Sequence, residues 1–338
     1  MSVTSVSVTE ESVSVVAPAV ETDASGAAAV LAGASSVTVL CHVNPDADAL
    51  GSALALGTAL HRKGVPVQVA FAEPAATPES LRTLPGGQLL VPASEVAHEV
   101  DVLVTVDCGS VGRLGSLRDR MTGARQVLVI DHHHANARFG SVNLVDGAAE
   151  STTVLVCDVL DAWGVDLDAE LAHCLYAGLV TDTGSFRWAR PHTHELAARL
   201  LSTGIDATEV CRPLMDTHPF GWLAMLSSVL GSAVLDSDAA GGRGFAYVLI
   251  HCADAVGMRA EETESVVDLV RTAAEAQVAA VLKESAPGCW SVSLRAKDAV
   301  DVSAVAARLG GGGHRLAAGF TAQGSADDVL ARLRAALA

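Results

Sequence analysis

The stretch SVTVLCHVNPDADALGSALALGTALHRKG, residues 36–64, decides the architecture. The run SVTVL (36–40) is apolar and rich in β-branched residues, as a buried strand requires. A short polar loop follows. Apolar residues then recur at helical spacing through residues 48–62, and Gly64 stands where a helix would close. A strand feeding directly into a helix is a β–α unit, and a series of such units predicts a doubly wound α/β sheet.

Outward from this stretch the pattern repeats. VPVQVAFA (65–72), DVLVTVDCG (101–109) and RQVLVIDHH (125–133) are continuous apolar runs. Strands of that kind are parallel and covered on both faces. Helical patterns follow in 151–164, 169–180 and 193–204. A long helical connector is expected over 206–235. A smaller α/β region with a mixed sheet then begins at RGFAYVLIH (243–251), with a hairpin of AQVAAVLKES (276–285) and CWSVSLRAK (289–297) around the turn SAPG. The expected organisation is a disordered low-complexity tail over 1–26, a first domain over 27–205, the connector, and a second domain over 236–338.

Composition narrows the function. The chain has 338 residues and a formal net charge of −17, with half its residues hydrophobic and only 4% aromatic. Binding to long nucleic acid or an anionic membrane is driven by clustered Lys and Arg, so both are disfavoured. The seven cysteines occur singly, with no C-x-x-C pair, which suits a reducing cytoplasm. No apolar run reaches the length of a bilayer span, and the N-terminus carries Glu10 and Glu11 instead of a basic leader.

The polar residues that end the strands carry the chemistry. His42, Asp46 and Asp48 follow the first run, Asp107 ends the next central one, Asp131, His132, His133 and His134 follow the last, and Asp182 closes a helical stretch. In a parallel sheet, strand ends share one edge, where ligands bind. Each residue has a local explanation: an N-cap for Asp48, a turn for Asp107, an Asx turn for Asp182. Together they gather at least five carboxylates without a basic residue in the motifs, which is costly unless cations sit between them. Carboxylates mixed with imidazoles suit two divalent ions, Mn²⁺ or a similar borderline metal. Two such ions about 3.5–4 Å apart are the arrangement that clamps the attacking and leaving oxygens at phosphorus. The central Asp107 fits a bridging role. GSVGRLG (109–115) has the wrong spacing for a dinucleotide loop, and neither a P-loop nor a serine-hydrolase elbow occurs.

The motifs HVNPDADALGS, VTVDCGS, IDHHHAN and GLVTDTGSF, in that order, resemble the DHH phosphoesterase superfamily. SLRAKDAVDVSAVAARLGGGGHRLAAGF resembles its associated C-terminal domain. The resemblance implies that His42, Asp46 and Asp107 hold one Mn²⁺ and that Asp48, Asp107, His132 and Asp182 hold the other. It implies that His133 contacts the scissile phosphate, and that Arg295, Gly311, Gly312, Gly313 and His314 bind substrate. Successive glycine amides can cradle a phosphate, and an arginine can pair with one or stack on a base. The implied activity is hydrolysis of short oligoribonucleotides and linear dinucleotides to mononucleotides, together with dephosphorylation of 3′-phosphoadenosine 5′-phosphate and cleavage of cyclic di-AMP. The implied partners are that substrate and a second copy of the chain; the apolar run of segment 220–235 reads equally as the interface of such a dimer and as an internal core helix. The alternatives are an inorganic pyrophosphatase or polyphosphatase of the same superfamily, against which GGGGH speaks, and a non-catalytic nucleotide sensor.

Overall fold

The structure, a computed structural model, describes residues 19–338. It begins with strand β1 (Val20–Glu21) and helix α1 (Ala24–Ala32), capped by Asp23, which accepts from the Gly26 amide at 2.8 Å. Residues 19–26 therefore depart from the tail expected over 1–26. β1 pairs with a later strand, and Ala27, Ala28 and Leu31 of α1 are buried. An N-cap and a few small apolar residues suffice to order this segment, a signal that its low complexity hides. The rest of that expected tail lies outside the described residues.

The opening stretch forms β2 (Val37–Leu40) and α2 (Ala47–Arg62), with Gly64 at φ +78° just past the helix end. Then come β3 (Val67–Ala70), β4 (Val100–Val106), β5 (Ala124–Asp131) and β6 (Val142–Val145). The order is β1-β6-β5-β4-β2-β3, and every pairing is parallel. The chain moves outward from β2 to β3, then returns to lay β4, β5 and β6 on the other side. The order thus reverses between β2 and β4, and the crevice outside their carboxyl ends is the expected ligand site of such a sheet. Helices α3 (Thr152–Ala162), α4 (Ala169–Asp182) and α5 (Pro191–Leu201) follow. α2 is buried along almost its whole length. It crosses α4 so closely that a Cβ on Gly51 would lie 2.5 Å from the Cys174 carbonyl oxygen.

The connector is not one helix. It breaks into α6 (Ala207–Met215) and α7 (Gly221–Gly231), and its end forms strand β7 (Val234–Asp236). Pro219 disfavours helix at the residue before it, and Gly231 ends the second segment. The turn α8 (Ala239–Gly242), β8 (Phe245–Ile250), α9 (Ala260–Val270), β9 (Val278–Ala286), β10 (Cys289–Ala296), α10 (Val302–Arg308), β11 (Gly312–His314), β12 (Ala317–Gln323) and α11 (Ala326–Leu337) complete the chain. Their sheet runs β11-β12-β10-β9-β8-β7 and is mixed, with only β8 and β9 parallel. Trp290, Val292, Leu294 and Phe320 pack one face against α10 and α11, while Val281 on the other meets Val266 of α9 and Val229 of α7. Among the described residues, no helix is long and apolar enough to cross a membrane.

Candidate active site

The carboxyl ends of β2, β4 and β5 deliver His42, Asp107 and His132 to one point. Asp107 holds φ +54°, a left-handed conformation that Asp tolerates better than most residues, and this turns its buried carboxylate between the two imidazoles. One Asp107 oxygen lies 3.3 Å from His42 Nε2; the other lies 3.5 Å from His132 Nε2. Asp46 caps α2 by accepting from the Ala49 amide and sits 3.7 Å from His42 Nε2. Asp182, at the end of α4, is 3.2 Å from His132 Nε2. Asp48 is not the N-cap of its own helix. It is wholly buried and accepts from the Thr152 and Thr153 amides at 2.7 and 2.9 Å, the N-terminus of α3. A helix N-terminus stabilises an anion there.

Asp107 belongs to three donor groups suited to a cation: His42, Asp46 and Asp107; Asp48, Asp107 and His132; and Asp107, Asp131 and His133, of which the first two also join the segment after β2 to the other strand ends. The histidines are oriented for that task. His42 donates its Nδ1–H to the Val43 carbonyl at 2.8 Å, and His132 its Nδ1–H to the Ala149 carbonyl at 3.3 Å, so both leave Nε2 facing the carboxylates. Among the described residues, no lysine or arginine forms an ion pair with Asp46, Asp48, Asp107 or Asp182. The charges answer one another instead. Burial opposes a charge on His42, but Asp107 and Asp46 overcome it and hold its pKa at about 10. Burial likewise opposes charge on His132, and Asp182 leads the carboxylates that lift it to about 11. Burial raises Asp48 well above the carboxylate range and lifts Asp182 to about 6. This is a pocket of buried negative charge that takes up protons where cations would sit, and the donor set fits two divalent ions.

His133 is held differently. Its Nδ1–H donates to Asp131 Oδ1 at 2.7 Å, and Asn136 donates to the other Asp131 oxygen and to the Cys108 carbonyl. Nε2 of His133 is thereby turned away from its support. His134 is exposed and packs over Gly147, apart from these groups. From the second domain, His314 stacks on His133 with ring centroids 4.0 Å apart and lies 5.1 Å from His132. These three imidazoles form a further group that could hold a cation. Burial and the neighbouring imidazoles push His314 down to about 3.

The glycine run differs from the expected open loop. The Gly310 and Gly311 amides close α10, Gly311 donating to the Ala306 carbonyl at 2.8 Å, so the Gly311 N–H is spent. Gly312 and Gly313 belong to the outer strand β11, where a Cβ on Gly313 would lie 2.5 Å from Ala318 Cα. Arg295 and His314 both stand opposite Ala317 across neighbouring strands, and so share a face of the sheet. Arg295 lies near the Asp268 carboxylate, at 3.8 Å. In the sequence Asp131 counts only as one of the clustered carboxylates, and Asn136 and Thr152, whose hydroxyl donates to Asp107 at 3.0 Å, carry no role. The closeness of Asn136 to the histidine run was the only available signal. Thr152 carried none, since it meets Asp107 only in the folded chain.

Comparison with known proteins gives the family and the fold. The model of the DHH family, N-terminal domain, matches residues 36–179, and that of the DHHA1 domain matches residues 244–338. A bifunctional oligoribonuclease and PAP phosphatase, NrnA, from Thermus thermophilus is 32% identical over 85% of this chain and 84% of its own. An exopolyphosphatase-related protein from Bacteroides fragilis has the same fold, with a TM-score of 0.83 at 23% identity over 93% of this chain and 95% of that one. RecJ of Thermus thermophilus, solved with Mn²⁺, aligns at a TM-score of 0.55 and 19% identity over 93% of this chain and 54% of its own. The chain belongs to the DHH family.

Proposed function

We propose that this DHH-family hydrolase is a two-metal phosphodiesterase that cleaves short oligoribonucleotides and linear dinucleotides to mononucleotides, removes a phosphate from 3′-phosphoadenosine 5′-phosphate, and accepts cyclic di-AMP. The observation that carries the reading is the buried Asp107 carboxylate shared by two donor groups at the point where strand order reverses. His42, Asp46 and Asp107 would hold one ion, and Asp48, Asp107, His132 and Asp182 the other. Mn²⁺ suits their mixture of imidazole and carboxylate. Bound there, divalent ions supply Lewis acidity at phosphorus and lower the pKa of water. The similarity to the NrnA relative, whose name carries both the oligoribonuclease and the phosphatase activity, supports the substrate class.

The chain's own groups do the rest. His133, braced by Asp131, offers Nε2 to the scissile phosphate and gives a proton to the leaving oxygen. Burial opposes its charge, but Asp131 and Asp107 hold its pKa above that of a free imidazole, which favours the protonated form that this role needs. Residues 236–338 form the substrate domain. His314 and Arg295, on one sheet face with Gly312 and Gly313 beside them, hold the far end of the substrate and orient it. The expected homodimer is supported by α7 and β7. Met225 and Val229 face the core, whereas Phe220, Leu223, Val234 and Leu235 are exposed beside the unpaired edge of the sheet.

The test is hydrolysis of a dinucleotide, a pentamer, a 24-mer and 3′-phosphoadenosine 5′-phosphate, with Mn²⁺ and with excess EDTA. The reading expects metal-dependent release of nucleotide and phosphate, with kcat/KM falling as the chain lengthens. Equal efficiency on the 24-mer would favour a processive exonuclease, and turnover of pyrophosphate alone would favour a pyrophosphatase.

A further inference from the structure

Trp188 has no part in the reading above, and 51% of it is exposed, an unfavourable place for so large an apolar ring unless something covers it. The ring is not loose. Its indole N–H donates to the Asp182 carbonyl at 2.7 Å, and Gly184 packs so close that a Cβ there would come within 2.4 Å of the ring. Three successive left-handed residues, Gly184 (φ +56°), Ser185 (+60°) and Phe186 (+64°), fold the chain back to bring it there. Two of them are not glycine. Strain of that kind persists only where the surroundings hold it, and it concentrates at ligand sites.

Two guanidinium groups attend the ring. Arg187 Cζ lies 5.4 Å from its centroid, and Arg187 Nε donates to the Gly184 carbonyl at 2.6 Å. Arg271 Cζ lies 5.1 Å away and comes from the other domain, at the end of α9. Asp268 Oδ1 accepts from Arg271 Nε at 2.9 Å and lies 3.8 Å from Arg295 Nε. In a chain with 22 basic residues against 39 acidic ones, three arginines and an exposed indole thus gather beside the loop that carries Asp182. A planar cation resting on an indole marks a place where another flat π-system can lie.

We propose that Trp188 is a stacking platform for one nucleobase of the substrate, the base taking the place of a guanidinium that lies over the ring, and Arg187 and Arg271 turning to the adjoining phosphate. The inference rests on the phosphodiesterase reading and deepens it. Stacking accepts any base, because every base has a π face, so the platform selects nucleotides over inorganic phosphate chains without selecting sequence. The indole also donates to the backbone of Asp182, which fixes the distance from the stacked base to the buried carboxylates.

The test compares wild type, Trp188→Ala and Trp188→Phe on diadenylate and on the same dinucleotide made abasic at one residue or the other. Trp188→Ala should lower kcat/KM for the intact dinucleotide by about 10- to 100-fold, and Trp188→Phe by much less. On the analogue lacking the stacked base, the Trp188→Ala penalty should shrink to less than about threefold. A second arm titrates the protein in EDTA with diadenylate. Indole fluorescence should be quenched in wild type, and the quenching should disappear in Trp188→Phe. An equal penalty on the intact and both abasic substrates would make Trp188 structural and overturn the proposal. If wild type cleaves no dinucleotide, the phosphodiesterase reading fails, and the fluorescence arm judges the platform alone: quenching unchanged in Trp188→Phe overturns it.

Discussion

Replacing Asp107 by asparagine and by alanine separates its charge from its backbone. At φ +54° asparagine is tolerated nearly as well as aspartate, whereas alanine is strained by about 1–2 kcal/mol. The asparagine carbonyl can still accept from Thr152 Oγ1. Alanine loses the Thr152 hydrogen bond, about 1 kcal/mol more. In EDTA, Asp107→Ala should therefore be about 2–3 kcal/mol less stable than wild type, and Asp107→Asn within about 1 kcal/mol of it. Both remove the anionic oxygens shared by the two donor groups. Metal content, measured on protein dialysed against Mn²⁺, should fall from two equivalents to one or fewer in both. Loss of a two-metal clamp worth several kcal/mol, at about 1.4 kcal/mol per tenfold, should lower kcat/KM by at least about a thousandfold. Denaturant unfolding, elemental analysis and dinucleotide hydrolysis together decide the matter. An Asp107→Asn protein that keeps two equivalents and more than a tenth of the activity refutes the bridging role.

Three further outcomes follow from the same geometry. His42 and His132 have pKa values raised to about 10 and 11, so below those values each keeps a proton that a metal must displace. Mn²⁺ affinity should strengthen from pH 6.5 to 9, and calorimetry at pH 8 in buffers of different ionisation enthalpy should find at least two protons released; no release would refute the assignment. The same raised values stabilise the ion-free fold at low pH, a contribution lost as pH rises through 10. On Gly178 a Cβ would lie 2.5 Å from Thr153 Cγ2 and 2.7 Å from Asp48 Oδ1, so Gly178→Ala should destabilise by about 1–3 kcal/mol and weaken binding of the ion at Asp48. Unchanged metal stoichiometry and stability in that variant would mean that α2 and α4 yield at no cost. His314→Ala should lower dinucleotide kcat/KM at least tenfold while two equivalents of metal remain bound, and loss of metal instead would move His314 into the ligand set.

The parallel sheet was legible because its strands are uninterrupted Val/Leu/Ile runs, and the site because strand ends in such a sheet converge. The resemblance to the DHH phosphoesterases supplied the order of motifs, and matches to both domains bear it out. Local signals failed where pairing is non-local. GGGGH reads as a loop of free amides that cradles a phosphate, yet Gly311 closes a helix and Gly312–His314 pair with a strand that follows them. The local alternative for Asp48, an N-cap of α2, fails because its carboxylate serves the N-terminus of α3, 104 residues away along the chain. Trp188 reads as one aromatic among few. Its value comes from Arg271, which belongs to the other domain.

The short-substrate preference proposed above would have a physical basis in how the two domains meet. Arg259, at the start of α9, pairs with Glu79 of the first domain at 3.0 Å and donates to the Thr217 carbonyl of the connector at 3.2 Å. Glu261 accepts from the Ser80 amide at 3.2 Å. These contacts seat the second sheet so that His314 reaches His133. A substrate held at the carboxylate pocket by one phosphate and at Arg295 by another must therefore fit within the span from the first sheet's edge to the second sheet's face. Beyond that span a longer strand would meet a surface drawn from a chain with a net charge of −17, where each added phosphate brings repulsion in place of counterion release. Length selection then needs no separate gate. It follows from gathering Arg187, Arg271 and Arg295 within reach of one another in a chain whose net charge is −17.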